Sequence, residues 1–411
     1  MMTQTTINTD LLTPLGAYLR LRDAGRASFI LESVERGRLG RYSWMGAGSR
    51  LVTFEEAEEL ELPVVGYLAY DHVARLEPSV PLPGSGRGFP ESRLIVADTP
   101  VRFDHGNGVA EVIAGARDEI AGRLEAGIPW QRETRGVAGP LRRFPGQARY
   151  EEMVRSVKEH IVAGDVFQCV PSQRAERPTS ASPLDVYRAL RRVNPSPYLF
   201  LLELDGIALV GSSPERLVAC EAGRASLCPI AGTTEPTEGD AERLLSSEKD
   251  RAEHIMLVDL GRNDLSRVCR AGTVHLARYL EVERFSHVSH LVSEVVGKLR
   301  EDVTPFDVLR ACFPAGTVSG APKVRAMQLI SELEGMRRGP YAGAVLYALP
   351  GGTMDACIAL RTIVMADGVA HLQAGAGVVA DSDPTAEHEE CLRKLAALEA
   401  AIDLAEEEFV S

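Results

Sequence analysis

A run of small residues at positions 312–323 constrains this chain most: Cys-Phe-Pro-Ala-Gly-Thr-Val-Ser-Gly-Ala-Pro-Lys. Its two glycines alternate with other small residues between two prolines, a pattern that suits neither a helix interior nor a packed strand. The run therefore predicts a loop that lets a ligand approach the backbone. An apolar-periodic helix is predicted to follow over 321–333, with Pro322 suited to its first turn. A tight structural turn without any ligand is the alternative interpretation.

Two acidic pairs and a second small-residue run at 373–381 indicate the kind of ligand. Asp250 and Glu253 are three residues apart on a stretch predicted to be helical, and Glu387 and Glu390 repeat this spacing on another. Residues three apart are neighbours on a helix surface, so two such helices facing each other could surround one cation with carboxylates. Mg²⁺ prefers oxygen ligands and often shares an anionic substrate. The pattern predicts a Mg²⁺ site beside an anion pocket, and two solvated acidic faces are the alternative.

Several cations and proton carriers could act on an anionic ligand. Arg361 ends an apolar stretch and suits bidentate carboxylate recognition, while Lys394 lies one helical turn beyond the second acidic pair. Tyr341 could add a hydroxyl donor. His290 stands at the head of an apolar stretch and could exchange protons near neutrality, with His287 competing by position. A surface arginine and a structural histidine are the alternatives to these roles.

Composition excludes several classes of protein. The 411 residues are 45% hydrophobic, enough for one large domain or two ordinary ones, and the formal net charge of −13 argues against a nucleic-acid-binding surface. The seven cysteines are scattered without a Cys-x-x-Cys pair, which favours reduced thiols over disulfides or zinc. Because no apolar run reaches the ~18 residues that span a bilayer and the N-terminus is polar, we expect a soluble, cytoplasmic protein without a membrane partner.

Periodicity predicts an α+β fold with antiparallel sheets, since helices and strands mix without regular βαβ alternation. The pattern breaks down over 128–145, so we predict an N-terminal domain over 1–140 and a second domain over 141–411. The acidic stretch 55–61 is predicted to be a solvated loop. Helices are predicted over 12–22, 147–163, 240–259, 305–311, 321–333 and 385–407, and strands over 28–33, 41–46, 63–70, 93–97, 108–114, 166–169, 198–203, 207–212, 217–221 and 369–372.

Beyond these patterns, many ordered motifs resemble the chorismate-utilising enzymes, specifically the large subunit (component I) of anthranilate synthase. The resemblance is strong over 150–403 and weaker before it, where it rests on FILESVE, GRYSWMG and VGYLAYD. Its motifs are GDVFQCVPSQR, NPSPYLF, GSSPERLV, PIAGT, KDRAEHIMLVDLGRNDL, CFPAGTVSGAPKVRAM, RGPYAGAVLY, DACIALRT and QAGAGVVADSDP. The resemblance implies two interlocked α+β domains with antiparallel sheets, and chorismate and Mg²⁺ held between helices and glycine-rich loops.

The resemblance also implies roles for particular residues. Glu253 and Glu390 match direct Mg²⁺ ligands, and Asp250 and Glu387 match ligands that act through water. His290 matches a histidine near the leaving hydroxyl group. The implied substrate-binding residues are Arg361 and Tyr341 on the enolpyruvyl carboxylate, the backbone around Gly375, Ala376 and Gly377, and Thr233, Thr317 and Lys394 in the same pocket.

Two positions favour anthranilate as the product. Relatives that form isochorismate or salicylate carry a lysine that activates water where this chain has Gln168, and glutamine cannot act as a base. Aminodeoxychorismate synthases use a lysine nucleophile where this chain has Ala231. The implied reaction adds ammonia at C2 of chorismate, expels the C4 hydroxyl and then eliminates pyruvate. Aminodeoxychorismate synthase and a catalytically weakened chorismate- or tryptophan-binding paralogue are the alternatives.

The resemblance finally implies a partner and an inhibitor. Ammonia is expected from a glutamine amidotransferase subunit in a heteromeric complex, because none of the cysteines lies in a Gly-x-Cys-x-Gly turn. Two segments, 234–249 and 51–63, are shorter than the family pattern, and 234–239 lacks the arginines that usually follow Thr233 in the family. Feedback inhibition by tryptophan is expected at a site formed by Leu31, Glu32, Ser33, Asn194, Pro195, Ser196, Pro197 and Tyr198.

Overall fold

The computed structural model describes residues 6–33, 39–129, 138–234, 236–237, 239–284 and 289–408, without the side chains of Leu39 and Thr233. Within these residues the chain forms eleven helices. They are α1 (Pro14–Leu21), α2 (Phe54–Glu58), α3 (Val73–Leu76), α4 (Arg117–Glu125), α5 (Gln147–Val162), α6 (Pro183–Val193), α7 (Asp240–Ser246), α8 (Glu248–Ser266), α9 (Pro305–Cys312), α10 (Lys323–Glu334) and α11 (Pro384–Glu408).

The described strands number twenty-three, and every pairing between them is antiparallel. They are β1 (Thr6–Asn8), β2 (Ala27–Glu32), β3 (Tyr42–Gly48), β4 (Arg50–Val52), β5 (Val64–Leu68), β6 (Ser92–Val96), β7 (Val101–Asp104), β8 (Val109–Val112), β9 (Arg142–Phe144), β10 (Gln168–Cys169), β11 (Ser172–Pro178), β12 (Tyr198–Leu204), β13 (Ile207–Ser213), β14 (Arg216–Glu221), β15 (Arg224–Leu227), β16 (Ile230–Thr234), β17 (His275–Arg284), β18 (Ser289–Lys298), β19 (Gly320–Ala321), β20 (Ala344–Leu349), β21 (Thr353–Ile358), β22 (Thr362–Ala366) and β23 (Val369–Gly375).

Two large sheets organise the molecule, and each takes strands from both halves of the chain. The first has the order β1-β8-β7-β3-β2-β12-β13-β22-β23-β11-β9. The second has the order β16-β18-β15-β14-β21-β20-β5-β6-β4, with β17 on the edge beside β18. The predicted α+β fold with antiparallel sheets is therefore confirmed, whereas the domain boundary at residue 140 stays a prediction.

Three apolar clusters arrange these elements in layers. One lies between the facing sides of the two sheets, where side chains such as Phe29 and Tyr67 pack together. A second fills the space between the first sheet and helices α1, α4, α6 and α11. A third fills the space between the second sheet and helices that include α5, α8, α9 and α10. The result is a helix–sheet–sheet–helix stack in which apolar faces are buried on both sides of each sheet.

Some elements differ from the predictions. The acidic stretch 55–61 was wrongly assigned to a solvated loop: α2 begins with a capping box between Thr53 and Glu56, and Phe54 and Ala57 are buried. The single helix predicted over 240–259 is two helices, because Ser247 has an extended backbone and caps α8 through the Asp250 amide. Helices α3, α4 and α6 were not predicted, and neither were several strands, among them β7, β9, β11 and β20. None of the described helices is long and apolar enough to cross a membrane.

Candidate functional site

The two small-residue runs meet on either side of the short strand β10. Gln168 pairs with Ala321 in β19, and Cys169 forms a bridge with Val378 just after β23. Helix α9 ends at Cys312, and the run continues through a 3-10 turn at Gly316–Val318 before it reaches β19. Segments more than 140 residues apart in sequence are thus held together around Gln168.

Glycine is required at this junction because the chain approaches itself closely. Gly320 has a φ of +136°, and a Cβ atom there would lie 2.1 Å from the carbonyl oxygen of Gln168. A Cβ atom at Gly316 would lie 2.0 Å from Leu260 in α8. We expected these glycines to let a ligand approach the backbone. The close contacts that they permit are instead with β10 and α8 of the protein itself.

Gln168 links the small-residue runs to the acidic pairs. Its side chain is 3% exposed, and its Nε2 donates a hydrogen bond to Glu253 Oε1 at 3.4 Å. The same Nε2 lies 2.5 Å from the position of a Cβ atom on Gly377. Its other amide atom, Oε1, is buried and has no hydrogen-bond partner among the described residues. A buried acceptor without a partner is costly, so this atom is available to a ligand that carries N–H or O–H groups.

The four predicted metal ligands lie close enough to influence one another. Burial raises the pKa of Glu253, and the charges of Asp250 and Glu390 raise it further. Burial also raises the pKa of Glu387, again with a contribution from Glu390. Within the described part of the chain, no three His, Cys, Asp or Glu side chains converge tightly enough to form a metal cluster. The carboxylates are thus neighbours in an open arrangement, and a cation between them would relieve their repulsion.

Lys394 is engaged within this site. Its Nζ donates to the carbonyl oxygen of Gly375 at 2.9 Å and pairs with Glu390 at 2.7 Å. The Tyr341 hydroxyl lies 3.0 Å from the position of a Cβ atom on Gly375, so a side chain there would displace it. The amide of Ala376 is already used, since it donates to the carbonyl oxygen of Pro171 at 3.3 Å.

Arg361 supplies a positive charge without a carboxylate counter-charge among the described residues. It follows β21 and has a φ of +45°. Burial alone lowers the pKa of its guanidinium, and no described carboxylate pairs with it. A half-buried arginine without an acidic partner is poorly compensated unless an anion binds to it. The geometry therefore offers Arg361 to an anionic ligand.

His290 lies near this arginine. Its Nδ1 contacts the carbonyl oxygen of Gly232 at 2.9 Å. Burial lowers the pKa of His290, and the Arg361 charge adds to this effect, so the imidazole is neutral at pH 7. Thr233 in β16 pairs with His290 in β18, but its side chain is outside the described part of the chain, as is His287. Ala231 precedes this pair and is 8% exposed.

Glu215 is a site residue that the sequence analysis missed. It is 7% exposed in the turn between β13 and β14, and its Oε1 accepts a hydrogen bond from the Thr317 hydroxyl at 2.7 Å. Burial raises the pKa of Glu215 to about 7, and the charges of Lys394 and Glu253 also act on it. Both Glu215 and Thr317 line a small pocket of about 40 Å³. The local sequence contained no signal of this burial, because an acidic residue between two predicted strands is ordinarily exposed.

The residues predicted to bind tryptophan come together next to Glu215. Strand β2, which ends at Glu32, pairs with β12, which begins at Tyr198. The Oγ atom of Ser33 and the Nδ2 atom of Asn194 are buried without hydrogen-bond partners among the described residues. Leu31 is partly buried between the sheets, and Glu32 is 6% exposed and accepts hydrogen bonds from Tyr187 and Arg191.

The 194–198 segment is also bonded to the strand ends that hold Glu215. Ser196 Oγ donates to the carbonyl oxygen of Ser213 at 2.7 Å, and Arg216 Nε donates to the Tyr198 hydroxyl at 2.8 Å. The Ser213 hydroxyl in turn accepts the amide N–H of Glu215 at 3.3 Å. A shift of this segment would therefore change the position of Glu215 through these hydrogen bonds.

Comparison with known proteins identifies the family of this chain. The chorismate binding enzyme family matches residues 24–400. Anthranilate synthase component 1 of Thermus thermophilus is 42% identical, covering 97% of this chain and 96% of that protein, and the Saccharomyces cerevisiae protein of the same name is 41% identical, covering 96% and 90%. The crystal structure of anthranilate synthase component I from Streptococcus pneumoniae superposes with a TM-score of 0.79 at 33% identity, covering 95% of this chain and 98% of that one. The chain therefore belongs to the chorismate-binding enzymes and, within them, to the group of anthranilate synthase component 1.

Proposed function

We propose that this protein forms anthranilate and pyruvate from chorismate and ammonia, as the ammonia-using subunit of anthranilate synthase in tryptophan biosynthesis. The names of its relatives support this role. The observation that carries the proposal is Gln168, a neutral amide at the centre of the site whose buried Oε1 has no hydrogen-bond partner among the described residues. An amide cannot deprotonate water, whereas ammonia is a nucleophile without activation, and Oε1 can accept one of its N–H groups.

The chain's own residues can then be given roles in the reaction. Arg361 and Tyr341 bind the enolpyruvyl carboxylate, since this arginine has no carboxylate partner within the described residues. Ammonia forms a bond to C2 as the C4–O bond breaks, and Glu215, oriented by Thr317, donates the proton that lets the hydroxyl leave as water. A carboxyl group with a pKa of about 7 is suited to donate a proton at neutral pH. The ammonium group formed at C2 then loses a proton, which restores the acid. His290 is neutral and can accept the C2 proton as the C3–O bond breaks and the ring becomes aromatic, and the released enolpyruvate takes up a proton on carbon to give pyruvate.

Mg²⁺ is proposed as the metal, held by Glu253 and Glu390 with Asp250 and Glu387 acting through water. The residues fit the ion because their oxygens are the ligands that it prefers and because their mutual repulsion calls for a cation. When bound, the ion supplies charge balance and orientation for a substrate carboxylate.

A glutamine amidotransferase subunit is proposed as the source of ammonia in the cytoplasm. A glutaminase nucleophile is a thiolate, and thiolates form in partly exposed, electropositive surroundings. Burial raises the pKa of all seven cysteine thiols here, for example to about 12 for Cys169 and about 11 for Cys391. None of these thiols is suited to hydrolyse glutamine, which supports a separate catalytic subunit.

Feedback inhibition by tryptophan is proposed at the predicted site. The buried Oγ of Ser33 and the buried Nδ2 of Asn194 lack partners among the described residues, so they offer an acceptor and a donor to the amino and carboxylate groups of an amino acid. The hydrogen bonds from 194–198 to the strand ends around Glu215 provide a route by which the ligand could act on the reaction.

The test is incubation of the purified chain with chorismate, Mg²⁺ and saturating ammonium, with products identified by fluorescence and mass. Anthranilate that is lost upon chelation supports the proposal. A 4-amino product would instead favour the aminodeoxychorismate synthase alternative, which Ala231 argues against. Chorismate binding by calorimetry without turnover would refute the proposed activity and favour the weakened paralogue.

A further inference from the structure

A buried arginine outside the predicted site joins two segments that carry site residues. Arg338 is 4% exposed, and its Nη1 donates to the carbonyl oxygen of Val318 at 2.8 Å. Its Nη2 donates to the carbonyl oxygen of Val170 at 2.6 Å. Val318 directly follows Thr317, and Val170 lies two residues after Gln168. One guanidinium thus fixes the spacing between the small-residue loop and the segment that follows β10.

The same guanidinium packs on the aromatic ring of a predicted substrate-binding residue. Its central carbon lies 5.5 Å from the ring centroid of Tyr341 and 4.6 Å from that of Tyr70. Both tyrosines are at least 95% buried, so these cation–π contacts are largely desolvated and correspondingly strong. The position of the Tyr341 ring, and hence of its hydroxyl beside Gly375, depends on where Arg338 is held.

Arg338 is itself held firmly. Glu334, the last residue of α10, lies four residues before it, with a shortest N–O distance of 2.6 Å, and the side chains of Arg338 and Glu334 are only 1% and 5% exposed. Glu334 also accepts from the amide and hydroxyl of Ser172, at 2.8 and 2.7 Å. Asp71 accepts the amide N–H of Arg338 at 3.0 Å, so an N-terminal segment anchors the backbone as well.

Stability alone is a weak reason to keep such a pair, because well-packed apolar residues often replace a buried ion pair without loss. The guanidinium of Arg338 is planar, so it can donate to two carbonyl oxygens and stack on a tyrosine ring at the same time. Neither lysine nor an apolar side chain can make this combination of contacts. We propose that Arg338 is a positioning residue for chorismate binding, acting through Tyr341 and through the small-residue loop. This inference rests on the proposed function, because it takes Tyr341 to contact the substrate.

The experiment compares Arg338→Lys with the wild type in steady-state kinetics of anthranilate formation and in calorimetric binding of chorismate. Lysine keeps the charge but loses the fork. We expect kcat/KM for chorismate to fall about 10–100-fold, as is typical when a residue that orients a binding group is changed. The loss should be mainly in KM and should be matched by a weaker Kd. The control is Arg177→Lys, which alters a partly buried arginine that is paired with Asp403 and Glu406 near the end of β11.

A double-mutant cycle with Tyr341→Phe separates positioning from general support of the fold. If Arg338 acts through Tyr341, the double variant should lose much less than the product of the two single losses. Multiplicative losses, or a KM within twofold of the control variant, would overturn the proposal. Should Arg338→Lys fail to fold, Glu334→Gln loosens the same guanidinium with a smaller change and must then raise KM in the same way. A wild type that binds chorismate without turnover would refute the proposed activity, and the Kd of the variants would still decide the role of Arg338.

Discussion

Replacing Glu215 by glutamine should make the protein more stable at alkaline pH while removing its activity. Glu215 is 7% exposed, and burial raises its pKa from 4.5 to about 7. Between these pH values the native state therefore binds more protons than the unfolded state. The free energy of unfolding decreases as the pH rises through this window, because the buried carboxyl must lose its proton.

The size of the effect follows from the shift. A change from 4.5 to about 7, at about 1.4 kcal/mol for each pKa unit, corresponds to about 3 kcal/mol. The stability contributed by the protonated carboxyl is fully present below pH 4.5 and is lost above about pH 8. Glutamine has a similar shape, can accept the hydrogen bond from Thr317 and never ionises. The variant should therefore match the wild type at pH 4.5 and exceed it by about 3 kcal/mol at pH 8.

The assay is urea unfolding of both proteins at several pH values from 4.5 to 8.5, followed by circular dichroism. The control is Glu221→Gln, which changes an exposed carboxyl group at the far end of β14. In parallel, anthranilate formation should fall by about 10²–10⁴-fold in Glu215→Gln, the usual loss of a general acid. In the wild type, kcat/KM for chorismate at saturating free ammonia should decrease as the pH rises above about 7.

Two results would refute this account. A stability difference that does not change with pH would mean that the Glu215 carboxyl is not protonated in the native state near neutrality. Full activity in Glu215→Gln would mean that another group donates the proton to the leaving hydroxyl, even if the stability effect were found.

Three further predictions concern the other ligands. Glu390→Gln should abolish Mg²⁺-dependent anthranilate formation and weaken Mg²⁺ binding in calorimetry, because one carboxylate ligand is lost; unchanged Mg²⁺ affinity would contradict the proposed ligand set. Arg361→Gln should raise KM for chorismate by about 10–100-fold, since charge-assisted hydrogen bonds contribute roughly 1.5–3 kcal/mol; an unchanged KM would exclude Arg361 from the substrate site. Ser33→Phe should remove inhibition by tryptophan with little change in activity without it, and undiminished inhibition would count against that location.

The local sequence pattern predicted many of the helices and strands, but it did not predict which strands pair with one another. Strand β5 has the apolar sequence of a buried strand, yet its partner β20 lies almost 280 residues later, and no periodicity encodes that pairing. Helix α2 was missed because acidic residues dominate its sequence. The Thr-x-x-Glu spacing at Thr53 was the available sign of its N-terminus, and Phe54 and Ala57 form its buried side.

The candidate site was predictable to the extent that its residues stand in recognisable motifs. Asp250, Glu253, Glu387 and Glu390 were found from spacing, and the structure brings them within electrostatic reach of one another. The burial of Glu215 could not be predicted, because it depends on the turn at Gly316–Val318, which is about 100 residues away in sequence. The hydrogen bonds of Arg338 likewise join segments that lie far apart in the chain, so its role becomes visible only in three dimensions.

The destabilising position of Glu215 is itself an argument for its function. Burial raises the pKa of Glu215 and lowers the free energy of unfolding by about 3 kcal/mol at pH 8. A neutral side chain at this position would not have this cost. Native chains keep such local conflicts mainly where function needs them. Here the carboxyl accepts from Thr317, lines a cavity and is joined through Ser213 and Arg216 to the predicted tryptophan site. If the proposed tryptophan site is correct, a ligand that shifts 194–198 would act on Glu215, the proposed proton donor, through the hydrogen bonds of Ser213 and Arg216.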